Sequence, residues 1–81
     1  MARLPQVSGK ELIKLLQGLG YSIVRRRGSH VRLRRTTAVG EHNITVPDHR
    51  VIAKGTLNDI LSTVSVQSGI SKETLLKELR G

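Results

Sequence analysis

The 81-residue sequence has no cysteine, phenylalanine or tryptophan, one tyrosine, two prolines and six acids. Each shortage excludes something. Without cysteine there is no disulfide framework, no thiol nucleophile and no cysteine-ligated zinc. A single aromatic residue, Tyr21, argues against a module that stacks unpaired bases on a sheet, and against an oligonucleotide-binding barrel. No apolar run approaches the roughly 18 residues of a membrane span, so no membrane association is expected. Met1 to Val7 carries one Arg and no apolar stretch, so a signal peptide is not expected there either. A chain this short buries only about 60% of the surface it exposes when unfolded, which suits one domain over residues 1–81 with residues 1–7 flexible. The composition points to a small, basic, cytoplasmic protein.

What the sequence has in excess is positive charge. Fourteen Lys and Arg against six Asp and Glu give a formal net charge of +8. The excess is concentrated: residues 21–54 hold eight basic residues against two acids, Glu41 and Asp48. Six of the eight are arginines between positions 25 and 35, namely Arg25, Arg26, Arg27, Arg32, Arg34 and Arg35. The guanidinium fork suits phosphate, whereas a merely solubilising surface uses Lys more often. A polyanion grasped by its backbone is the partner this pattern implies.

Local signals divide the chain into helix, strands and helix. Ser8-Gly9-Lys10-Glu11 reads as a capping box, followed by Leu12, Leu16 and Leu19 on one helical face and Gly20 just past the end. Tyr21–Arg26 is rich in strand formers, and Arg27-Gly28 reads as a tight turn with Gly28 at positive φ. From Ser29 to Arg35 the chain alternates, Val31 and Leu33 on one face, His30, Arg32 and Arg34 on the other. Such alternation suits an antiparallel sheet with one face packed and one face wet. Thr36–Glu41 reads as a polar loop, and Asn43–Val46 as a third strand ended by Pro47. Thr56 reads as the N-cap of a helix that buries Leu57, Ile60, Leu61 and Val64 and weakens over Ser62–Ser68. Gly69 ends it, and Ser71 caps a short last helix with Leu75, Leu76 and Leu79 on one face.

Strand parity separates the three histidines. His30 falls on the polar face beside Arg32 and Arg34, His42 on the core side or at a strand mouth, and His49 in a loop. An imidazole exchanges its proton near neutral pH, so one set among fixed cations can act on a docked phosphodiester. No histidine pair has the spacing of a zinc helix, and no metal or cofactor is expected. Lys54-Gly55-Thr56 lacks the glycine-rich phosphate loop and reads as the start of a helix.

Taken in order, Ser8-Gly9-Lys10-Glu11-Leu12-Ile13, Gly20-Tyr21, Arg27-Gly28-Ser29-His30, Thr45-Val46-Pro47 and Lys54-Gly55-Thr56-Leu57 with Ile60-Leu61 closely resemble the HicA toxin family over about residues 8–80. The resemblance implies an α+β fold like that of a double-stranded-RNA-binding domain, α-β-β-β-α, with a short extra C-terminal helix possible. It implies a metal-independent endoribonuclease acting on messenger RNA, with His30 as the catalytic residue. It also implies a HicB-type antitoxin that covers His30 and the basic face. The expected RNA-binding residues are Arg25, Arg26, Arg27, Ser29, Arg32, Arg34, Arg35 and Lys54, with Gly28 as the structural turn residue. The alternatives are a non-catalytic RNA-binding module using the same face, and a protein whose basic sheet pairs chiefly with an acidic protein.

Overall fold

The computed structural model describes residues 4–80. Its elements run α1 (Gly9–Gly18), β1 (Ser22–Arg27), β2 (His30–Thr37), β3 (Gly40–Pro47), α2 (Lys54–Ser68) and α3 (Lys72–Arg80). The strands form one antiparallel meander in the order β1-β2-β3. The architecture is α+β, with the helices packed on one face of the sheet, and its order is consistent with a double-stranded-RNA-binding-domain-like arrangement.

The predicted capping box is present. The Ser8 hydroxyl accepts from the Glu11 N–H and the Glu11 carboxylate accepts from the Ser8 N–H, each at 3.1 Å. Leu12, Ile13 and Leu16 then face inward, and Gly20 leaves the helix at φ +98°. Of the expected flexible segment 1–7, residues 1–3 lie outside the described residues. Val7 is buried and its carbonyl accepts from the Ile52 N–H at 2.7 Å, so this stretch is packed at Val7.

The strands are longer than their composition suggests. The expected loop Thr36–Glu41 is mostly ladder, because Thr36 pairs with Glu41 and Thr37 with Gly40, leaving only Ala38 and Val39 in the turn. The first turn is Gly28-Ser29, with Arg27 closing β1 against His30. Gly28 has φ +58° and, among the described residues, none other than glycine has positive φ, the pattern of a type II′ turn with glycine first.

Two expectations about α2 are corrected. Thr56 is not its N-cap: the helix starts at Lys54, its capping residue is Ala53, and no side chain caps it. The Leu57 N–H already bonds the Ala53 carbonyl at 2.9 Å, and buried Ile52 anchors the approach, so packing sets the boundary. Ser62–Ser68 is fully helical despite weak propensity, since Leu57, Ile60, Leu61 and Val64 bury one stripe and Gly69 supplies a left-handed cap at φ +74°. In α3 the Ser71 hydroxyl accepts from the Thr74 N–H at 3.2 Å, as expected of a cap. Among the described residues no helix is long and apolar enough to cross a membrane.

Val31, Leu33, Ile44 and Val46 of the sheet meet Leu12, Leu16, Leu57 and Leu61 of the helices in one core. At the far end of the covered face, the Tyr21 hydroxyl lies 2.6 Å from His42 Nδ1. Burial pushes the Tyr21 hydroxyl above its ordinary value, against the pull of Arg35, so it keeps its proton to donate. Burial, and then the Arg35 charge, hold His42 below the ordinary histidine value. Its neutral ring is the form that accepts from Tyr21.

Gly9 marks the tightest approach of α1 to the sheet. A Cβ there would lie 2.5 Å from both Asp48 Cα and the Pro47 carbonyl oxygen, whereas Gly18 faces open space. Gly9→Ala is therefore expected to cost about 1–3 kcal/mol in urea unfolding, because only backbone is there to yield. Gly18→Ala should be neutral or slightly stabilising; equal effects would contradict this packing. His42 makes the stability respond to acid. Its folded-state value is depressed, so the unfolded chain binds the extra proton first, and stability falls as pH drops below about 6.5. Between about pH 7.5 and pH 5, His42→Gln should lose less stability than wild type. An identical loss would remove His42 from the acid response.

Candidate functional site

The helices leave one face of the sheet uncovered, and β2 determines what that face displays. Val31 and Leu33 are fully buried, which turns His30 and Arg32 to the opposite, solvent side. Cross-strand pairing then sets two rows on the open face. Arg27, His30 and Pro47 form one, and Arg25, Arg32 and Thr45 the other. With strands about 4.8 Å apart, these side chains converge on a single site. Arg25, Arg27, His30, Arg32 and Thr45 line a shallow depression of about 160 Å³ there.

A β-bulge makes this grouping possible. Pairing slips between Ile23, opposite Leu33, and Arg25, opposite Arg32, so Val24 is an extra residue. An unbroken strand with Tyr21 and Ile23 on the core side would turn Arg25 and Arg27 inward as well. The extra residue reverses the parity and sends both arginines to the face of His30.

The electrostatics single out the depression. Arg25 and Arg32 are direct cross-strand partners, and like charges so placed are destabilising. Among the described residues the side-chain ion pairs are Arg26–Asp48 at 2.9 Å and Arg34–Glu41 at 3.7 Å, so neither pairs Arg25, Arg27 or Arg32. Three uncompensated guanidinium groups and an exposed imidazole around one hollow suit an oligoanion with a reactive phosphodiester.

The remaining predicted residues are scattered. Arg34 lies one row further along, its Nε donating to Asn43 Oδ1 at 3.0 Å beside Glu41. Arg26 and Arg35 are corrected: neither belongs to the open face. Arg26 pairs opposite buried Val31 and reaches Asp48. Arg35 has the parity of Val31 and Leu33, and its Nη1 donates to the Gln67 carbonyl at 3.3 Å, at the end of α2. Lys54 is exposed at the start of α2 and does not line the depression. Ser29 sits half-buried in the turn, its carbonyl accepting from the Asp48 N–H at 2.6 Å. His42 is on the core side, and His49 is in the loop after β3, its carbonyl accepting from the Gly9 N–H at 2.8 Å.

Thr45 went unrecognised, although the alternation of Asn43–Val46 already points it outward with its hydroxyl beside Arg32. A larger groove of about 600 Å³ lies between α1 and α3 along Leu15, Leu19, Ile70 and Leu79. It contains no histidine, and its charged lining (Glu11, Lys14 and Glu78) is mixed in sign, so the smaller, basic depression is the stronger candidate for the functional site.

No curated protein and no solved structure matches the chain. The family model for the HicA toxin of bacterial toxin-antitoxin systems matches residues 9–66, from the first residue of α1 into α2, and so includes every residue that lines the depression. The chain belongs to the HicA toxin family, the toxin component of a bacterial toxin-antitoxin pair.

Proposed function

We propose that the chain is a metal-independent endoribonuclease that cleaves messenger RNA in the cytoplasm on the open sheet face, with His30 as general acid or base. The observation that carries this reading is the sharing of one depression by His30 and the uncompensated Arg25, Arg27 and Arg32. The phosphodiester docks over the arginines, and the Thr45 hydroxyl donates to a non-bridging oxygen. The ribose 2′-oxygen attacks phosphorus and loses its proton. A P–O2′ bond forms, the P–O5′ bond breaks, and the departing 5′-oxygen takes up a proton. His30 performs one of these transfers and water the other. The guanidinium groups stabilise the extra negative charge of the phosphorane.

The single aromatic residue of the chain is buried, so bases find no stacking platform and the grip falls on the RNA backbone. An open, shallow site is also simple to silence. A HicB-type antitoxin that covers His30 and the surrounding arginines removes substrate access and, in binding, supplies the carboxylates that the lining of the depression lacks.

His30→Ala is expected to lower cleavage of a long unstructured RNA in EDTA by about a hundredfold or more, with RNA affinity unchanged. RNA bound by both proteins and cleaved by neither would favour the binding-module reading. In binding titrations, replacing Arg25, Arg27 or Arg32 by Ala should each reduce the slope of log K against log salt by about 0.7. Arg35→Ala, on the other side of the sheet, should leave that slope unchanged. A slope that falls equally for Arg35 would contradict the assignment of the face.

A further inference from the structure

We propose that Asp48 is a positioning residue for the His30 site, fixing the tip of the β1–β2 hairpin against the end of β3. The proposal rests on the nuclease reading above. Pro47 is the cross-strand partner of His30 in a non-hydrogen-bonded row, where the missing proline N–H faces away from β2, and the next β2–β3 bond falls to Asp48. The Asp48 N–H donates to the Ser29 carbonyl at 2.6 Å, gripping the residue immediately before His30. The Asp48 carboxylate accepts from Arg26 Nη1 at 2.9 Å, immediately before Arg27. One residue thus holds both flanks of the turn that separates Arg27 from His30.

The hold has a rigid backing. Asp48 Cα lies so close to Gly9 that no Cβ fits between them, and the Gly9 N–H donates to the His49 carbonyl at 2.8 Å. Asp48 therefore cannot retreat toward α1. Its side chain is 17% exposed against 51% for Arg26, which screens the pair less than an open surface contact. The restraint matters because β1 is an edge strand, paired on one side only, and its tip carries Arg27 beside His30. Without the tie, the imidazole and the arginines that flank it lose their fixed separation.

Asp48 also contributes a negative charge, paired with Arg26 of the hairpin that carries the depression. Removing that charge favours RNA binding while loosening the geometry, so affinity and rate should move in opposite directions. A simple loss of folded protein cannot produce that signature.

The test uses the full chain as wild type, Asp48→Asn, Arg26→Ala and the double variant. Single-turnover cleavage and affinity for one RNA are measured in EDTA, with amide hydrogen exchange followed by NMR. Asp48→Asn is expected to slow cleavage by about tenfold with affinity equal or tighter. Arg26→Ala should slow cleavage comparably, and the double variant no more than the slower single one. Amides of the 28–30 turn should exchange faster in Asp48→Asn, those of Leu33 and Ile44 unchanged. A rate within about twofold of wild type, a parallel loss of rate and affinity, or additive single effects would each overturn the proposal. A wild type that cleaves nothing would overturn the nuclease reading instead, and turn exchange alone would then decide whether Asp48 positions the hairpin.

Discussion

Everything at the site depends on the register of β2, the one strand paired on both sides. Val31 and Leu33 are sealed under the helices, and that burial is what turns His30 and Arg32 outward. A slip of one residue would exchange the two sets, placing an imidazole and a guanidinium in the apolar core and two aliphatic side chains in water. The cost of burying an unpaired cation makes that alternative inaccessible. The position of His30 is thus held by hydrophobic register, not by any contact the histidine makes itself.

The same face carries a cost that folding alone does not explain. Arg25 stands opposite Arg32 and Arg27 opposite His30, and neither of the two ion pairs of the described residues includes Arg25, Arg27 or Arg32. A surface selected only for stability would intersperse acids among these cations. Leaving them uncompensated stores an affinity for anions, which either RNA or an acidic partner can satisfy. On the proposed reading, RNA and the antitoxin compete for one face, and the relative amounts of partner and substrate decide the outcome by mass action.

Much of this was legible in the sequence because the signals were local. The capping box at Ser8 and Glu11, the alternation through His30–Arg34 and the Ser71 cap each depend on residues a few positions apart, and each is present. What escaped the sequence depends on distant partners. Arg25, Arg26 and Arg27 look equivalent in a row, yet the bulge at Val24 sends the outer two to the site and the middle one to Asp48. No turn residue marks the bulge: Ile23 and Val24 are ordinary strand formers. Thr36 and Thr37 read as loop because both faces of the sheet are exposed at that end, where alternation leaves no hydrophobic trace. The α2 start at Lys54 and the contact of Gly9 with Asp48 are set by packing between segments some forty residues apart.

In the proposed chemistry the ribose 2′-oxygen is the nucleophile and His30 moves a proton for it. The direct test compares a single-stranded RNA with the same strand carrying 2′-deoxyribose throughout, and identifies the product ends by mass spectrometry. Cleavage of the RNA alone, leaving 2′,3′-cyclic phosphate and 5′-hydroxyl ends, with the deoxy strand bound but intact, is the predicted result. Cleavage of the deoxy strand, or 5′-phosphate ends on the RNA, would show that another nucleophile attacks phosphorus and would contradict the role assigned to this face.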